Sequence, residues 1–96
     1  MKILTICGSL KYQNEMMKLA EEKALEGYCV LTPVFPVTKG VEITKAQLAS
    51  LKEAHLKRIE LSDAILVVNV DNYIGESTKL EIEYAKKLGK EILYAF

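Results

Sequence analysis

The sequence predicts an α/β fold: a small doubly wound, flavodoxin- or Rossmann-like parallel sheet with strand order 2-1-3-4 and helices on both faces. Three observations predict it. Residues 2–7 (KILTIC) and 64–70 (AILVVNV) are near-continuous apolar runs, the pattern of strands covered on both faces. Stretches of helical length and periodicity separate such runs. Capping residues and glycines stand where those stretches should start and stop.

In chain order, the first strand spans 2–7, and a helix from about Asn14 to Glu26 stops at Gly27. A short strand follows at 28–32 (YCVLT). Residues 33–43 hold both prolines and Gly40, a connection suited to a wall or lid over a crevice. Thr44-x-x-Gln47 reads as a capping box opening a second helix that runs to Leu61. The third strand is 64–70, the third helix starts near Thr78 and stops at Gly89, and 91–95 (EILYA) is the last strand. Right-handed crossovers then give the order 2-1-3-4. Its switch point lies between strands 1 and 3, where such sheets bind ligands outside the strands' carboxyl ends. The loops to inspect are Gly8 to Asn14 and Asp71 to Ser77.

Ninety-six residues make one domain, 1–96. Half are hydrophobic, and thirteen basic side chains balance thirteen acidic ones. No global field draws the chain to duplex nucleic acid or an anionic membrane, so a small ligand fits better. The N-terminal apolar run ends at Gly8-Ser9, too short for a signal-peptide core, and the expected location is cytoplasmic. Cys7 and Cys29 read as reduced, small apolar residues without chemistry. One histidine and two dispersed cysteines supply no metal-ligand set. The G-S-L turn lacks the glycine fingerprint of a dinucleotide site, so no cofactor is expected.

Two glutamates on the third helix part company by geometry. At about 100° per residue, Glu81 is centred on the arc holding Ile82, Tyr84, Ala85 and Leu88, while Glu83 falls among Lys79, Lys86 and Lys87. Glu83 is a solvated residue. Glu81 is a carboxylate on an apolar face beside the crevice, where desolvating an isolated charge is costly. Local compensation is available if Thr78-x-x-Glu81 is a capping box; the functional alternative is a carboxylate aimed at a ligand. His55 lies on the apolar stripe of the second helix with Leu48, Leu51 and Ile59, as a hydrogen-bonded core residue or as a partner in the same site. Asp71, at the end of the third strand, is a turn-forming residue or a polar group in the crevice.

The segment YIGESTKLEIEYAKKLGKEI after AILVVNVD resembles the nucleoside 2-deoxyribosyltransferase-like superfamily, through Thr78, Glu81, Ile82, Tyr84, Ala85, Gly89 and Lys90. ICGSLK at 6–11 is similar to the FCGSIR segment of its deoxynucleoside monophosphate N-hydrolase branch. The resemblance implies cleavage or transfer of the N-glycosidic bond of a nucleoside or its 5′-monophosphate, with Glu81 as nucleophile and His55 or Asp71 as proton donor. Gly8, Ser9, Lys11, Gly75, Ser77 and Thr78 would bind substrate, the hydroxyls and amides cradling a 5′-phosphate. It also implies a homodimer or higher homo-oligomer in which a neighbour completes the pocket. Three positions depart from the family pattern: Thr5 replaces a strand tyrosine, His55 replaces an aspartate eight residues ahead of Asp63, and Glu83 replaces a glycine. The alternatives to an enzyme are a non-catalytic nucleotide-binding or sensing module, and a structural assembly domain in which Glu81 only caps its helix.

Overall fold

The computed structural model describes residues 1–96. Four strands, β1 (Ile3–Gly8), β2 (Cys29–Leu31), β3 (Ala64–Val68) and β4 (Glu91–Tyr94), alternate with three helices, α1 (Gln13–Leu25), α2 (Lys45–Leu61) and α3 (Glu76–Lys87). All strand pairs are parallel and the order is β2-β1-β3-β4, as the alternation of elements predicts. Leu4 pairs with Ala64 and Gly8 with Val68, so the carboxyl ends of β1 and β3 lie side by side at the switch point.

The two central strands divide the core by parity. Leu4, Ile6, Ala64, Leu66 and Val68 pack with Met16 of α1 on one face. Cys7, Ile65 and Val67 pack with Ile59 of α2 and with Ile82 and Ala85 of α3 on the other. Every residue of β3 is buried, which explains its unbroken apolar run: neither face meets water. Each such fully buried aliphatic side chain contributes about 1.5–3 kcal/mol by leaving water. Thr5 is the polar exception in β1, fully buried, and its hydroxyl is satisfied by Ser62 and by the Arg58 carbonyl.

The helix boundaries follow local chemistry. Thr44 and Gln47 form the anticipated capping box at α2. Gly89, at φ 72°, takes the left-handed conformation that ends α3, and the Lys90 amide returns to the Ala85 carbonyl. The start of α3 corrects the sequence expectation. Its N-cap is Gly75, whose carbonyl already accepts the Lys79 amide at 3.0 Å. Thr78 is therefore a buried residue inside the first turn and Glu81 stands in the second, so the two form no capping box.

Candidate functional site

A cavity of about 420 Å³ opens at the switch point, within the range of small-molecule sites. Gly8 and Ser9 at the end of β1, Leu48, Leu51, His55 and Arg58 along α2, and Gly75 to Thr78 with Glu81 on α3 line it. Pro33 and Val34 add a wall, the part foreseen for the proline-containing connection. A side chain at Gly8 would crowd the core: a Cβ would lie 2.8 Å from Met16 Sδ and 3.3 Å from the Val68 carbonyl oxygen.

The structure brings His55 and Glu81 together and adds Cys7, which sequence reading had set aside. Nε2 of His55 is 3.5 Å from Cys7 Sγ and 3.7 Å from a Glu81 carboxylate oxygen. Burial drives all three groups toward their neutral forms. The Glu81 carboxyl is pushed up to about 7 by desolvation, opposed by a hydrogen bond from the Cys7 thiol. Burial, reinforced by the neighbouring Glu81 charge, pushes the Cys7 thiol well above its usual range. Burial, then the Arg58 charge, lowers His55 to about 4. The imidazole is thus neutral near pH 7, and its approach to Glu81 is not an ion pair.

The tautomer follows from Arg58. One guanidinium nitrogen lies 3.1 Å from His55 Nδ1, and arginine only donates. Nδ1 therefore accepts, and Nε2 carries the ring proton toward Cys7 and Glu81. The i,i+3 spacing of His55 and Arg58 was a signal available in the sequence. Cys7 had none beyond its place one residue before Gly8.

The remaining anticipated residues divide. Gly8, Ser9, Gly75, Ser77 and Thr78 line the cavity. Ser9 also accepts the Lys11 amide at 3.2 Å as the cap of a short turn. Lys11 and Asp71 are outside the lining. The Lys11 ammonium sits 4.4 Å from the centre of the Tyr73 ring and 5.3 Å from that of Tyr12, tying the two switch-point loops together by cation–π attraction. Asp71 is exposed and, with Asn72, holds a left-handed backbone conformation, φ 52° and 61°, the turn-forming role open to it from sequence. The second carboxylate on the lining is Glu76, held by Lys79 at 3.2 Å.

An open parallel α/β sheet with a cavity and a half-buried acid at its switch point defines a Rossmann-like domain. Across 98% of its length the chain matches the solved structure of a 2-desoxiribosyltransferase from Leishmania mexicana, with a TM-score of 0.71 and 18% identity. The match covers 63% of that chain, so the present protein spans a little under two thirds of its length. At this identity the likeness is one of fold. No family model matches the chain, and no curated protein matches it.

Proposed function

We propose that the protein cleaves or transfers the N-glycosidic bond of a deoxynucleoside or its 5′-monophosphate. The observation that carries this reading is Glu81: a carboxylate only 19% exposed, on the lining of the switch-point cavity, with no cationic partner in contact. A desolvated carboxylate of this kind is a strong nucleophile and stabilises an oxocarbenium-like transition state. Its oxygen would attack the anomeric carbon as the bond to the base breaks, leaving a glycosyl ester that water or a second base then resolves. The neutral His55 faces the nucleophile, so its part is to orient Glu81. Protonation of the departing base then falls to solvent, or to Asp71 if its loop turns inward. Ser9, Ser77 and Thr78, with the amide groups opening α3, form the end suited to a 5′-phosphate.

Leu48 and Leu51 on α2 and Val34 are exposed at the cavity wall. A second subunit of a homo-oligomer would cover them and enclose the base. The position of Asp71 outside the lining favours a second reading, a nucleotide-binding module without chemistry. Incubation with deoxynucleosides and their 5′-monophosphates separates the two. Release of free base that Glu81→Gln abolishes supports the enzyme; binding of nucleotide with no release supports the module. The cap-only role for Glu81 fails on geometry, because the N-cap of α3 is Gly75.

A further inference from the structure

Cys7, His55 and Glu81 are remote in sequence, on β1, α2 and α3, yet their ligand atoms lie within 4.8 Å of one another. The three elements that meet at the switch point each supply one donor, and the donors are of three kinds: sulfur, imidazole nitrogen and carboxylate oxygen. Around tetrahedral zinc, bond lengths of about 2.3, 2.0 and 2.0 Å set donor separations of about 3.5 Å for sulfur to nitrogen and about 3.3 Å for nitrogen to oxygen. The corresponding separations here are 3.5 Å and 3.7 Å. The first matches; the second, and the sulfur-to-oxygen pair, which lies within 4.8 Å, close with a rotation of the Glu81 side chain.

We propose that Cys7 Sγ, His55 Nε2 and a Glu81 oxygen form a zinc site with an open fourth position facing the cavity. The donor set suits this metal: thiolate and imidazole select borderline-soft ions over magnesium or calcium. A dication with one thiolate and one carboxylate is neutral overall, which a largely buried site tolerates better than a net charge. His55 and Glu81 line the cavity and Cys7 does not, so the vacancy left by three protein ligands points toward incoming ligand or water, the arrangement of open rather than closed zinc sites. On binding, the Cys7 thiol proton passes to solvent, as does the proton of Glu81 where its carboxyl is protonated. The ring proton of His55 must also move from Nε2 to Nδ1, where it would face the Arg58 guanidinium now donating to that nitrogen. Arg58 therefore opposes the metal twice, by holding the wrong tautomer and by its charge. The ion would occupy the lone pairs of Glu81, so zinc inhibits the base release proposed above; the site itself is independent of that reading.

The test is titration of the purified full chain with Co²⁺ alone, followed by competition with Zn²⁺. The expected result is one Co²⁺ per chain, a thiolate-to-cobalt charge-transfer absorption with the visible bands of a tetrahedral ion, and displacement by Zn²⁺. Cys7→Ser should remove the charge-transfer absorption while Cys29→Ser, which alters the exposed thiol, leaves it intact. Glu81→Gln should weaken binding by more than the ~10–100-fold that loss of an outer supporting contact costs, and Arg58→Ala should tighten it. Absence of a thiolate band, or its loss in Cys29→Ser with retention in Cys7→Ser, would overturn the proposal. Unweakened binding by Glu81→Gln would do the same even if the Cys7 variant failed to fold.

Discussion

Replacing Glu81 by Gln should stabilise the protein, and by an amount set by pH. The amide keeps the shape of the protonated carboxyl and removes only the buried charge. In the folded chain Glu81 titrates at about 7 against a reference of 4.5. A folded value raised above the unfolded one gives stability that is complete below pH 4.5 and lost as pH rises through 7. The interval, at about 1.36 kcal/mol per pH unit, corresponds to roughly 3 kcal/mol lost by the wild type and not by the variant. For a domain of this size that is roughly 12–24 °C in melting temperature. The assay is thermal and urea unfolding of both proteins between pH 4 and 9, with a chelator present to keep the site metal-free. The two should be nearly equal near pH 4 and diverge through pH 7, the variant ahead. A difference that does not change with pH, or a variant that is less stable at pH 8, would refute the view that Glu81 is a desolvated carboxylate without a cationic partner.

His55 should behave in the opposite sense. Its folded value of about 4 lies below the ordinary 6.5, so its contribution is present above pH 6.5 and lost as pH falls through 4, by roughly 3 kcal/mol. His55→Gln should therefore gain on the wild type in acid but not at pH 8, as urea midpoints at the two pH values would show. In the wild type the two trends run against each other between pH 4.5 and 6.5, so each substitution unmasks the other group. Gly8→Ala should cost about 1–3 kcal/mol by overpacking, because its Cβ meets Met16 and the Val68 backbone; a denaturant midpoint equal to the wild type would contradict the close approach. If Glu81 is the nucleophile, base release should rise with pH through about 7, and a rate that falls over that range would count against a carboxylate attack.

The fold was legible because its signals are local or periodic. The doubly buried strands show as apolar runs, the Thr44 capping box is written in four residues, and Gly27 and Gly89 mark helix ends by their positive φ. The wheel on α3 separated Glu81 from Glu83 correctly: the first is half-buried on the cavity and the second is exposed. What sequence could not supply was contact between elements. Cys7 reads as an apolar strand residue until β1 is set beneath α2 and α3, and then its sulfur lies 3.5 Å from His55 Nε2 and beside the Glu81 carboxyl. The depth of His55 along α2 depended on the crossing of that helix over the sheet, which no spacing within the helix encodes. The start of α3 went astray because Thr78-x-x-Glu81 satisfies the capping pattern while the Gly75 carbonyl begins the helix earlier. Lys11 and Asp71 belong to the crevice by loop membership alone, and neither lines the cavity: Lys11 lies over Tyr73 at its edge and Asp71 holds a left-handed turn.

The measurement that tests the central claim most directly is chromatographic detection of free nucleobase after incubating the purified protein with a panel of deoxynucleosides and their 5′-monophosphates, beside Glu81→Gln. The wild type should release base from at least one substrate and the variant from none, while the variant remains folded and is the more stable of the two above pH 7. Equal release by both proteins, or none by either across the panel, would contradict Glu81 as the group that breaks the glycosidic bond.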